Sequence, residues 1–278
     1  MRPVALVWTA CLIVACPSAL GWICPACSTE SEGLLCTDCG LPRPPEGMGY
    51  APACTVEVRG AAVRVESFFV DSFPVTYREI LPWMNENVST LEDMAGIVTG
   101  QYDANLQFLR YTPFTGNSEG TGITVPSNCF SLPVGSFTYE GAASYLQSRG
   151  ARLPTTAEIL AAKRQGLVDR FDVESVMRRF AAMMRSTMGS MLGDLANQAM
   201  FAGYSTVDER LMWEWTTDAW RQPPDSIYRL DAPYRVIVRP TEEAELGAAG
   251  SDMGYFNVTF RGVVPILTGE GQDRPEGG

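Results

Sequence analysis

Apolar and polar positions alternate with a two-residue period over Thr55–Arg59 and again over Ala62–Val70, and Gly60 stands between the two runs. That pattern predicts a β-hairpin. From Thr76 to Asn85 the period becomes helical; Thr76 suits an N-cap, Glu79 follows three residues on, and Pro82 shortens or bends the helix. Thr138–Arg149 predicts a second helix. Pro154 keeps Leu153 out of the α region, so Arg152 to Thr155 forms a tight turn. Thr155 or Thr156 then caps a short helix, Glu158 completes a capping box, Ile159 to Ala162 carry the helix on, and Gly166 ends it. The chain is organised around this unit of helix, proline turn and helix.

Further along, Phe171, Val173, Val176, Met177, Phe180, Met183, Met184, Met191, Leu192 and Leu195 recur at three- and four-residue steps. This stripe predicts a helix over 169–200, packed on its own domain or offered to a partner. Tyr234–Arg239 and Tyr255–Arg261 alternate as strands. Trp213, Trp215 and Trp220 read as core rather than as a ligand box. Val88–Asn128 is poorly patterned, and Tyr111–Asn128 reads as a long loop. The Pro- and Gly-rich segment 41–53 reads as a linker, and the polar, Gly-rich residues 268–278 as a disordered tail.

The first residues change the picture by adding an address. Lone Arg2 precedes an apolar run, Val4–Ala15, of signal-peptide length, and Ala19-Leu20-Gly21 offers a cleavage pattern. Residues 1–21 are therefore expected to be a signal peptide and the chain to be exported, periplasmic or extracellular. Two variants keep that topology. Ile13-Val14-Ala15-Cys16 resembles a lipobox with lipidated Cys16, and an uncleaved run would anchor the chain. A net charge of −11 lacks the basic footprint of a nucleic-acid binder.

Cys24, Cys27, Cys36 and Cys39 follow within residues 22–40, two C-x-x-C turns eight residues apart with Gly40 after the second. The spacing suits a tetrahedral zinc site in a zinc-ribbon-like module that metal would help to fold. An oxidising compartment favours two disulfides instead, and a thiol–disulfide redox role is the third reading. Cys54 and Cys129 stand apart. In an exported chain they are expected to form a disulfide, the alternative being two buried thiols.

Several segments together resemble the formylglycine-generating enzyme, or sulfatase-modifying factor, family. They are Val65–Thr76, then Pro133-Val134 with Tyr139–Leu146, then Arg152-Leu153-Pro154-Thr155 with Glu158, then Trp213-Glu214-Trp215 with Asp218, and finally Phe260-Arg261. The resemblance runs from about Thr55 to Val264. It implies an α+β domain over 54–267, a variant of the C-type-lectin-like fold with short antiparallel sheets and little regular secondary structure. It implies structural roles for Glu158, Glu214 and Asp218, with Arg152 a partner for one of them.

The chain departs from the family in its chemistry. No histidine is present, so the three-histidine iron site of the related sulfoxide synthases cannot exist here. No cysteine follows Cys129, so the family's copper-binding catalytic pair is missing, and neither copper nor iron is expected. Glu209-Arg210 stands where the family places a calcium-linked Gly-Asn, which leaves Asp208 and Glu209 as a calcium candidate beside plain surface charge. The leading expectation is a non-catalytic module that binds a protein or glycan at the cell surface. The alternatives are an oxidoreductase with reassigned chemistry and an exported redox protein.

Overall fold

The computed structural model describes residues 21–89, 91–98, 101–102, 108–109, 114–116, 122–125, 127–168, 213–220, 234–239, 245–251 and 258–266. The expected leader, the helix at 169–200, the acidic pair at 208–209 and the tail lie outside these residues, apart from Gly21. The chain divides into two compact units, Met1–Arg43 and Pro44–Gly278.

In the first unit, β1 (Trp22–Ile23) pairs antiparallel with β2 (Glu30–Ser31). Trp22 turns inward and its Nε1 donates to the Gly33 carbonyl at 2.7 Å. The two cysteine turns close alike. Ser28 N–H donates to Cys24 O at 2.8 Å, and Gly40 N–H donates to Cys36 O at 3.0 Å. Both donors sit in the left-handed region, at φ 62 and 70. Glycine takes that conformation freely, whereas serine is strained in it. Among the described residues of the unit, the buried apolar side chains are Trp22, Cys24, Cys36 and Leu41. The described residues alone, 21–43, form so small an interior that they call for a cross-link or a metal.

The second unit opens with β3 (Met48–Ala51), β4 (Cys54–Val58), β5 (Ala61–Val65) and β6 (Phe68–Asp71). Next come α1 (Tyr77–Asn87), α2 (Leu91–Ile97) and four two-residue strands, β7 (Gln101–Tyr102), β8 (Phe108–Leu109), β9 (Thr115–Gly116) and β10 (Ile123–Thr124). A 3-10 turn at Ser127–Cys129 leads to α3 (Tyr139–Ser148) and α4 (Thr156–Arg164). The last strands are β11 (Trp213–Ala219), β12 (Tyr234–Arg239), β13 (Glu245–Gly250), β14 (Val258–Thr259) and β15 (Val263–Pro265).

The hairpin forms as expected, but as β4 and β5 alone, turning through Arg59 and Gly60 at φ 52 and 79. Paired positive φ values match the right-handed twist of the flanking strands. β6 belongs to a separate sheet, ordered β15-β6-β3. The segment read as a linker is therefore no bare connection, because β3 falls inside it and pairs with β6 from Met48–Asp71 to Ala51–Phe68. A four-stranded sheet, ordered β13-β12-β11-β14, is not wholly antiparallel, since β11 and β14 run parallel. The loop expected over 111–128 holds a small hairpin, β9 with β10, and the weakly patterned stretch before it holds α2.

Helix starts follow the sequence. Thr76 and Thr155 cap α1 and α4, each in a complete capping box with the glutamate three residues on. Pro82 lies inside α1, which continues past it to Asn87. The main core gathers Ile80, Met84, Phe137, Leu146, Leu153, Trp215 and Phe260 from α1, α3, the proline turn and β11. A second cluster packs α4 against β4, β5 and β6 through Val56, Val65, Phe68, Ala157 and Ala161.

Candidate functional site

The four N-terminal cysteine sulfurs converge. All lie within 4.8 Å of one another, and none of the four enters a disulfide. Cys24–Cys39, Cys27–Cys36 and Cys27–Cys39 are 3.5, 3.4 and 3.6 Å apart. A disulfide needs about 2.05 Å. Four sulfurs around a tetrahedral zinc at ~2.3 Å stand ~3.8 Å apart, so the observed spacing fits the metal better. Amides also turn toward sulfur. The Cys39 N–H, more than any other group, lowers the Cys36 thiol to about 6, helped by the Asp38 N–H and opposed by burial. At Cys39 the Leu41 N–H pulls down, but burial and the neighbouring thiols together push it up to about 12. Piling up negative charge on adjacent sulfurs is costly until a divalent cation offsets it. The donor set, the spacing and the charge all fit Zn²⁺.

In the second unit the proline turn positions a chain of ion pairs. Arg152 grips Glu158 in bidentate fashion, at 2.8 and 2.6 Å, and also donates to Leu153 O at 2.9 Å. Those bonds hold the Arg152 guanidinium above its ordinary range. Glu158 Oε2 accepts the Thr155 N–H at 2.7 Å, so one carboxylate closes the capping box and orients the arginine. Asp218, from β11, accepts the Thr156 N–H at 2.7 Å, where the dipole of α4 favours an anion. Thr217 N–H donates to Pro154 O at 2.9 Å and ties β11 to the turn. Arg152 and Val263 exchange backbone hydrogen bonds at 3.0 and 2.8 Å.

Deeper in, Arg261 is fully buried and grips Glu214 with two bonds of 2.6 and 2.7 Å. Its remaining donor reaches Asp71 O at 2.8 Å and Ser72 O at 3.2 Å. Asp71 takes the Gly262 N–H at 2.7 Å and Arg149 at 3.2 Å. Burial raises the pKa of Asp71 despite these partners. Trp215 Nε1 donates to Phe137 O at 3.1 Å, while Trp213 is partly buried against the same core.

The matched charged residues Arg152, Glu158, Glu214, Asp218 and Arg261 are thus each bonded to another part of the scaffold. Arg152 pairs with Glu158, as the sequence allowed. The Glu214–Arg261 and Asp71–Arg149 pairs were not anticipated, and their signals were the lone charges set in apolar runs at Glu214, Arg261 and Asp71. The expected Cys54–Cys129 disulfide does not form. Cys54 packs with the α4 cluster and faces Gln165 Nε2 at 3.5 Å, whereas Cys129 is buried in the main core, where burial pushes its thiol up to about 11.

A cavity of about 1010 Å³ opens between the hairpin and the start of α4. Val63, Arg59, Arg64 and Glu66 form one wall, and Glu158 and Asp218 lie on the other side. Arg59 stacks over Trp220 at 4.6 Å, and Arg64 and Glu66 form an exposed ion pair at 2.9 Å. The size and the mixed polarity suit a ligand-sized or side-chain-sized guest.

Residues 47–201 match the family described as the sulfatase-modifying factor enzyme 1-like domain, and that span is just over half of the chain. None of the curated proteins searched matches it.

Proposed function

The chain belongs to the sulfatase-modifying factor family, and from that membership we propose that it is an exported, non-catalytic member that binds a protein or glycan at the cell surface. The observation that carries this reading is the pairing of the motif carboxylates. Glu158, Glu214 and Asp218 already accept from Arg152, Arg261 and the Thr156 amide. A carboxylate that acts as acid or base must reach a substrate proton, and these are committed to the scaffold. The missing C-terminal cysteine pair and the absence of histidine point the same way. The domain adopts the family's variant of the C-type-lectin-like fold in this reading, and the cavity beside the hairpin is its recognition surface. A zinc-ribbon-like module precedes the domain, with Cys24, Cys27, Cys36 and Cys39 as the ligands of one structural zinc. Four protein thiolates leave no open coordination position for a substrate, so the zinc there would be structural.

An oxygen electrode tests the catalytic half of this reading. With a cysteine-containing peptide and added copper, uptake stays at the rate of the same mixture without the protein; uptake above that control, matched by thiol loss, would refute a non-catalytic role. Binding of labelled protein to intact host cells tests the other half. It is expected to fall at least tenfold in the Arg64→Ala, Glu66→Ala double variant, and unchanged binding rejects the cavity as the contact.

A further inference from the structure

The crossed spacing of the four sulfurs extends the zinc reading, on which this inference rests. We propose that the site is also redox-linked, releasing its metal on oxidation and closing as two disulfides, Cys24–Cys39 and Cys27–Cys36. Cys24 and Cys36 are buried, whereas Cys27 and Cys39 are exposed. Each exposed sulfur has a buried one as its nearer neighbour. Cys27 lies 3.4 Å from Cys36 and 3.6 Å from Cys39, and Cys39 lies 3.5 Å from Cys24. A bond between the two exposed sulfurs would strand Cys24 and Cys36 as a leftover buried pair. The crossed bonds use all four and join the first turn to the second, so β1 and β2 keep their frame after the metal leaves.

The oxidant is hydrogen peroxide. Thiolate sulfur at Cys27 attacks one of its oxygens, the O–O bond breaks, and a sulfenic acid forms with loss of hydroxide. The Cys36 thiolate then attacks that sulfur, the S–S bond forms and a second hydroxide leaves. Cys39 and Cys24 repeat the sequence. Two hydrogen peroxide molecules accept four electrons, four hydroxides take up four protons from solvent, and one Zn²⁺ is freed.

The test uses the full mature chain, reduced and zinc-loaded, treated with hydrogen peroxide. Zinc release is read with a chromophoric chelator, and the bonds are mapped after cleavage at Glu30 and Glu32, which separates the two turns. The expected result is one zinc per chain released as the two turn peptides become linked, with fragmentation placing Cys24 on Cys39 and Cys27 on Cys36. Separate peptides carrying Cys24–Cys27 and Cys36–Cys39 bonds overturn the proposal. So does a Cys27–Cys39 bond, or zinc release without disulfides. A reduced chain that takes up no zinc overturns the metal reading and the release with it, and it is distinguished by the elemental analysis made before any oxidant is added.

Discussion

Glu214→Ala removes the one carboxylate that grips Arg261 among the described residues. The guanidinium is fully buried, and two of its donors lose bonds of 2.6 and 2.7 Å. An uncompensated buried charge of this kind costs about 3–5 kcal/mol. In a unit of this size each kcal/mol moves the midpoint by roughly 2–4 °C, so Tm falls by ~6–20 °C. The exposed Arg64–Glu66 pair serves as the control, with side chains 75% and 69% exposed. Arg64→Ala is expected to cost less than ~1 kcal/mol, and molar salt reduces that further. The double variant Glu214→Leu, Arg261→Met removes both charges but leaves the carbonyls of Asp71 and Ser72 without their donor. Its cost should fall short of the summed single variants by at least ~2 kcal/mol. Urea unfolding followed by tryptophan fluorescence reads the unaltered protein, Glu214→Ala, Arg64→Ala, the double variant and its two singles Glu214→Leu and Arg261→Met, with Trp215 in the same core. A Glu214→Ala cost under ~1 kcal/mol, or a double variant equal to the sum, refutes the claim that this pair is coupled and desolvated.

Gly141→Ala should destabilise by ~1–3 kcal/mol, although alanine favours helix, because its Cβ would meet Ile97 O at 2.7 Å where α3 crosses the end of α2; a gain in Tm would reject that close approach. Asp71 has a raised folded pKa, so its contribution is fully present below the unfolded value and is lost as pH rises through the folded one. Stability relative to Asp71→Asn should therefore decline with rising pH above the ordinary carboxylate pKa, measured by urea titration at stepped pH; a difference that grows with pH contradicts it. Ser28→Gly should tighten metal binding several-fold in a chelator competition, because it removes the strain of a left-handed serine in the first cysteine turn; weaker binding would show that the serine conformation carries no such cost.

Features set by neighbouring residues were legible in the chain. Thr155 and Glu158, or Thr76 and Glu79, are three residues apart, and a capping box needs nothing from elsewhere. The two cysteine turns were legible for the same reason, and Gly40, the residue after Cys39, takes a positive φ. Long-range partners were not legible. Glu214 and Arg261 are 47 residues apart, and Asp71 meets Gly262 across 191. Which lone charge meets which depends on sheet order, and the order β15-β6-β3 skips most of the chain. The Cys54–Cys129 expectation failed because compartment and elimination say nothing of distance, and the two thiols belong to separate clusters. α2 was missed because seven residues barely complete two turns, so its period has no room to appear.

The pairing of β6 with β15 also has a bearing on synthesis. Val70 finds its partner Val263 only after all the residues between them have been made. At about 5–20 residues per second, the first of these strands waits roughly 10–40 s for the second. During that interval the early sheet holds only β3, and the Glu214–Arg261 clamp has no second half. A polypeptide made N-terminus first therefore lacks both this strand pair and the clamp until the segment around Arg261 to Pro265 has been added.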